Sequence, residues 1–146
     1  LGTTETMRKG KDITLVSYGS TLRIVIEAAE ELQKLGVDIE VIDIQSLIPF
    51  DLKNDIRKSV EKTNRLLIVD EDVPGGGTAY ILNKLLEKQS IFPLLDSKPN
   101  TLSAKAHRPA YGSDGDYFSK PSLDDVIEAA YEMMHEFDPK QFPKLS

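Results

Sequence analysis

Leu66-Leu67-Ile68-Val69 is an unbroken apolar run, bounded by Asn64-Arg65 on one side and Asp70-Glu71-Asp72 on the other. A strand with no polar face must be covered on both sides, which is the place of a central strand in a parallel sheet. Parallel neighbours need long crossover connections, usually helical. The flanking sequence supplies them. Ile13 to Tyr18 is rich in β-formers and stops at Gly19. Leu22, Val25, Ile26, Ala29 and Leu32 then recur at helical spacing, with Ser20 or Thr21 as the cap and Gly36 as the stop. Val37, Ile39 and Val41 alternate, and apolar character continues through Ile42 and Ile44 as a second strand. This is a βαβ unit, for which a right-handed crossover is expected.

Pro49 breaks the pattern, and Asp51 is placed to cap a helix carrying Leu52, Ile56 and Val60. After the apolar run, residues 70–77 read as a loop. A helix over Thr78 to Lys88 follows, with Ile81, Leu82 and Leu85 inward. Thr101 to Ala104 is a candidate fourth strand. His107 to Lys120 lacks periodicity and reads as an ordered loop. Ser122 and Asp125 form a capping-box pattern before a helix whose apolar stripe is Leu123, Val126, Ile127, Ala130, Tyr131 and Met134. Residues 1–12 read as a linker, 13–137 as one domain, and 138–146 as an extended tail. Alternation of β and α around a buried strand gives the α/β class, as a three-layer α/β/α sandwich.

Composition then narrows the partners. The net charge of -6 carries no basic run, which disfavours nucleic acid and anionic membrane. There is no Cys, so disulfides, thiolate metal sites and a cysteine nucleophile are excluded. No apolar run approaches the roughly 20 residues that span a bilayer, and no signal peptide is visible. A cytoplasmic setting is the expectation.

The candidate chemistry is sparse. Tyr18-Gly19-Ser20-Thr21 is a strand–turn–helix junction whose N–H groups could hold an anion, though a tight turn with a cap explains it better. Asp70-Glu71-Asp72 ends the central strand, where open α/β sheets favour ligands. Gly75-Gly76-Gly77 could admit a phosphate or a packed protein segment, and no Lys or Arg stands beside it. His107 sits in the densest polar set, with Arg108, Tyr111, Asp114 and Asp116; His135 suits a helix C-terminus. Ser113 to Asp116 lacks the order of a calcium loop. No nucleophile–base pair, metal constellation or cofactor fingerprint emerges, so no catalytic, cofactor or metal residue is assigned.

Read together, three segments resemble a known family. Gly10-Lys11-Asp12-Ile13-Thr14-Leu15-Val16-Ser17-Tyr18-Gly19-Ser20 resembles the opening of the transketolase C-terminal domain in 2-oxoacid dehydrogenase E1 β chains. Val41-Ile42-Asp43-Ile44-Gln45-Ser46-Leu47-Ile48-Pro49-Phe50-Asp51 is similar to its second strand and Pro-x-Asp turn. Val69-Asp70-Glu71-Asp72 with Gly75-Gly76-Gly77 resembles its third strand and glycine turn. The resemblance implies a mixed five-stranded sheet with one antiparallel edge strand. It implies an enzyme that oxidatively decarboxylates a 2-oxoacid with thiamine diphosphate and magnesium, both held outside the matching region. The domain itself would be noncatalytic. Its implied partners are the remaining E1 domains or E1 α chain, the lipoyl-transferase E2 core and a second copy of the chain. Glu71, Gly75, Gly76, Gly77, His107, Arg108 and Tyr111 are the candidate subunit or partner contacts. The stretch from His107 to Phe118 departs from the usual pyruvate dehydrogenase pattern and is similar to chains labelled 2-oxoisovalerate dehydrogenase, so a branched-chain acid is the expectation. The competing readings are the same domain in a pyruvate dehydrogenase E1 β chain, a transketolase or a deoxyxylulose-phosphate synthase, and a stand-alone flavodoxin-like binding module.

Overall fold

The structure, a computed structural model, describes residues 4–45, 51, 54–70, 77–87, 89–103, 105–107 and 117–145. In chain order the elements are β1 (Thr4–Arg8), β2 (Ile13–Ser17), α1 (Thr21–Lys34), β3 (Ile39–Ile44), α2 (Asp55–Thr63), β4 (Leu66–Val69), α3 (Gly77–Glu87), β5 (Asn100–Leu102), β6 (Lys105–His107), β7 (Tyr117–Ser119) and α4 (Leu123–Phe137). A five-stranded sheet runs in the order β1-β3-β2-β4-β5, and β6 pairs with β7 in a separate two-stranded sheet. β3, β2, β4 and β5 are mutually parallel, and β1 lies antiparallel along β3. This is the mixed sheet with one antiparallel edge that the family resemblance implies.

The period of two along each strand sorts the core into two halves. Ile13, Leu15, Ile39, Val41, Leu67 and Val69 pack with α1 and α4. Val16, Ile42, Ile44, Leu66 and Ile68 pack with α2 and α3. All four residues of β4 are buried, as the unbroken apolar run requires.

Helix α1 stops by a Schellman motif. The N–H of Gly36 donates to the Gln33 carbonyl at 3.1 Å and that of Val37 to the Leu32 carbonyl at 2.9 Å. Gly36 sits at φ +85°, where a side chain is disfavoured. Helix α4 opens with the capping box read from Ser122 and Asp125.

Several sequence boundaries are corrected. Residues 1–12 are more than a linker, because Thr4–Arg8 is the edge strand β1. Apart from Met7 its residues are polar, and most are exposed, so hydrophobic patterning carries no trace of it. Backbone pairing to β3 and a fork from Arg8 hold it instead. The Arg8 guanidinium donates to the Ile39 carbonyl at 2.6 Å, to Asp38 at 3.1 Å and to Gln33 at 2.7 Å. A register shift between Thr6 and Arg8 bulges this edge. The fourth core strand is Asn100–Leu102 rather than residues 101–104. The stretch read as a loop from His107 begins and ends in strand, since His107 pairs with Tyr117. The tail is not extended: Phe142 N–H donates to the Asp138 carbonyl at 2.9 Å, and the Phe142 ring is buried in the core.

The N-cap position of α2 is Asn54 rather than Asp51, which lies a turn before it and reaches the helix start only with its side chain. The helix begins at Asp55. The Asp51 carboxylate accepts the N–H of Asp55 at 2.9 Å and of Ile56 at 3.0 Å. Leu52 lies outside the described residues.

Candidate functional site

Strand order places the reversal of chain direction between β2 and β4. From β2 the chain crosses by α1 to β3 on one side; from β3 it crosses by α2 to β4 on the other. The carboxyl ends of β2 and β4 thus form the crevice where sheets of this order take ligands. The residues there are Ser17, Tyr18, Gly19, Thr21 and Asp70.

Gly19, at φ +65°, makes the turn out of β2. The Thr21 hydroxyl donates to the Tyr18 carbonyl at 2.8 Å and stands 2.7 Å from the Ser17 hydroxyl. The Tyr18 hydroxyl crosses the crevice and donates to the Asp70 carboxylate at 2.9 Å. Asp70 is buried, and its N–H donates to the Leu102 carbonyl at 3.0 Å. Beside β2, Asp43 is half-buried and faces Glu5 across the β1–β3 ladder. Burial, with the Glu5 charge second, pushes the Asp43 carboxyl above its ordinary value. The crevice is therefore closed by a tyrosine–aspartate bond between residues 52 positions apart.

A second polar network lies at the amino ends of the strands, between the sheet and α2. Thr14 and Glu40 point to the α2 side by the same period that directs Val16 and Ile42 there. The Thr14 hydroxyl meets Ser59 at 2.6 Å and Thr63 at 2.7 Å. Glu40 accepts from the Gly10 N–H at 3.2 Å and pairs with Lys62. Burial raises the Glu40 carboxyl, but hydrogen bonds from Lys62, Ser59 and Gly10 outweigh it and hold the group below its ordinary value. A depressed carboxyl stabilises the fold above its unfolded value and loses that contribution as pH falls through the folded one. We expect Glu40→Gln to flatten the acid limb of stability against pH, below about pH 4.5, as read from urea midpoints. An acid limb as steep as the parent's would show that Glu40 does not contribute to it.

The expected contact residues are only partly placed. Glu71, Gly75, Gly76, Arg108 and Tyr111 lie outside the described residues. Gly77 is the first residue of α3, and His107 ends β6. His135 is in the last turn of α4, where its Nδ1 donates to the Phe142 carbonyl at 2.7 Å and ties down the tail. Sequence reading missed the Tyr18–Asp70 bond and the Glu40 network. Strand order alone could have pointed to the first, since it makes the ends of β2 and β4 neighbours. Among the described residues no group of three His, Cys, Asp or Glu side chains could hold a metal.

Comparison with known proteins fits this geometry. The family model for the transketolase C-terminal domain matches residues 2–118. A pyruvate dehydrogenase E1 component subunit beta from Mesostigma viride is 35% identical over 130 residues, covering 89% of this chain and 39% of the relative. The acetoin:2,6-dichlorophenolindophenol oxidoreductase subunit beta of Bacillus subtilis (strain 168) is 34% identical over 139 residues, covering 93% of this chain and 39% of the relative. Among solved structures, a split-gene transketolase in an inactive beta4 tetramer superposes with a TM-score of 0.67 at 21% identity, over 90% of this chain and 42% of that one. The chain thus spans about two fifths of the length of these relatives.

Proposed function

The chain belongs to the transketolase C-terminal domain family, and from that premise we propose that it is the C-terminal assembly domain of the β chain of a thiamine-diphosphate-dependent 2-oxoacid dehydrogenase E1 component. The observation that carries this reading is the 35% identity over 130 residues to a pyruvate dehydrogenase E1 β subunit. In such an enzyme the cofactor carries the decarboxylation chemistry, and protein elements bind and orient it.

The described residues do not fit thiamine diphosphate with magnesium. At the switch-point crevice the Asp70 carboxylate is engaged by Tyr18, and no metal-holding group of side chains accompanies it. No step of the reaction is assigned to this chain. Its role in this reading is to present surfaces to an E1 α chain, to a lipoyl-bearing E2 core and to a second β chain. The segment with Glu71, Gly75, Gly76 and Gly77, and the residues His107, Arg108 and Tyr111, are the proposed contacts. The family match over residues 2–118 also argues against a stand-alone flavodoxin-like module.

Titration calorimetry on this chain separates these readings. Thiamine diphosphate with magnesium is expected to give no binding heat, and tight binding would sink the assembly-domain reading. Tight flavin mononucleotide binding would favour the stand-alone module. The acid consumed is read from carbon dioxide release by the assembled E1. Pyruvate is the acid named by relatives of this chain, and the loop from His107 to Phe118 is the one feature that favours 2-oxoisovalerate.

A further inference from the structure

Strand β1 is anchored at both ends, with an opposed pair of acids between the anchors. On the α2 face of the sheet the Thr4 hydroxyl donates to the Asp55 carboxylate at 3.1 Å. Past the bulge, Arg8 is fixed at the amino end of β3 by Asp38, Gln33 and the Ile39 carbonyl. Between these anchors Glu5 lies directly opposite Asp43 in the antiparallel ladder. By the period of two, Asp43 shares with Ile39 and Val41 the face that α1 covers, and Glu5 stands beside it on that face. Facing residues in such a ladder bring their Cβ atoms to about 4.5–5.5 Å, and like charges there oppose pairing.

Among the described residues no cation pairs with either acid. Glu5 accepts from the neutral Gln45 side chain at 3.1 Å. The neighbour of Asp43 on β2 is Ser17, which is uncharged and bonded to Thr21. On α1 the charged residues in line with Gln33, which Arg8 reaches, are Glu30 and Arg23, and Arg23 pairs with Glu27. Burial first, and then Glu5 alone of these charges, hold the Asp43 carboxyl above its ordinary value. A carboxyl raised in this way favours the docked strand while it is protonated. That contribution is complete below the ordinary value of 3.8 and is lost as pH rises through the folded one. The sign is opposite to that of Glu40.

We propose that Glu5 and Asp43 form a proton-operated clasp on the edge strand: one proton held between the two carboxyls closes β1 onto β3, and its release loosens β1 between the anchors at Thr4 and Arg8. The proton comes from and returns to solvent, and its gain removes one of the two opposed charges. A loosened β1 uncovers the hydrogen-bonding margin of β3, whose Ile39, Val41, Ile42 and Ile44 are buried beneath it. The inference stands apart from the function proposed above, since it uses only β1, β3 and the groups around them.

The test is hydrogen exchange of backbone amides, followed by NMR on the whole chain from about pH 7 to about pH 4 and corrected for intrinsic exchange rates. Protection over Thr4–Arg8 is expected to rise about two- to fivefold on acidification, the size of one opposed like-charge pair. Protection over Leu66–Val69 reads the stability of the core and should show no such rise. Asp43→Asn should abolish the rise and leave β1 as protected at neutral pH as the parent is in acid. Glu5→Gln, which keeps side-chain shape, should shrink the rise and lower the titration midpoint of Asp43, read from its carboxyl-carbon chemical shift. A merely structural role for Glu5 would not move that midpoint. Protection of β1 that stays flat with pH in the parent overturns the proposal, as does a rise that persists in Asp43→Asn or an Asp43 midpoint indifferent to Glu5→Gln.

Discussion

Gly10→Ala is expected to lower stability by about 3 kcal/mol, toward the upper end for an overpacked core. The chain passes here from β1 toward β2 in direct contact with the backbone of β3. A Cβ on Gly10 would lie 2.3 Å from the Ile39 carbonyl carbon and 2.5 Å from the Glu40 nitrogen. Real Cβ contacts are essentially never so close, and the atoms met are backbone, which no rotamer change can move aside. Relief requires β3 or the crossing segment to shift. Either shift lengthens the Gly10 N–H bond to the buried Glu40 carboxylate. The substitution therefore adds strain and also weakens the network that joins Glu40 to Lys62 and Ser59. The check is the urea midpoint, expected to fall by about 1 M or more for a domain of this size. A variant within a few tenths of a kcal/mol of the parent would mean that the crossing is looser than described.

Asp51→Ala is the second large effect, about 2–3 kcal/mol, combining a lost cap with buried donors left unpaired. Asp51 is 2% exposed, and its two carboxylate oxygens take three donors. Two are the N–H groups of Asp55 and Ile56 at the start of α2. The third is the Gln89 side chain at 3.1 Å, which reaches in from the segment after α3. Removing the carboxylate frees both helices at once. The residue also sits at φ 39°, which aspartate and asparagine tolerate better than alanine. Asp51→Asn keeps one acceptor and the backbone preference, so it should lose less than half as much. Thermal or urea unfolding of the pair decides the point, and equal losses would assign the effect to charge alone.

The sequence exposes those parts of the fold that rest on burial. β4 is legible because four apolar residues in succession leave no face for water. α1 is legible from its stripe and from Gly36, whose positive φ is what a Schellman stop demands. β1 is illegible because its stability comes from ladder bonds and from Arg8, neither of which shows in hydropathy. Asp51 could be recognised as a partner of the helix start, but not the turn that puts Asn54 at the cap and the first helical residue at Asp55. The folded-back tail is hidden for a similar reason. Phe142 is flanked by Pro, Lys and Gln with no apolar periodicity, and only its meeting with Tyr131 gives it a place. The candidate site was harder still. Tyr18 and Asp70 are ordinary residues in sequence and become a pair only through strand order.

The same polar edge strand has a consequence for how the chain can assemble. An open sheet grows into fibres when a flat, apolar edge recruits the next chain. β1 offers a charged and bulged margin instead, with Glu5 set against Asp43 and a register shift before Arg8. Strand addition at that margin would have to flatten the bulge and crowd more charge beside a pair that already repels. Edge-to-edge pairing of copies through β1 is thereby disfavoured. That margin sets a limit on growth of the sheet from the β1 side.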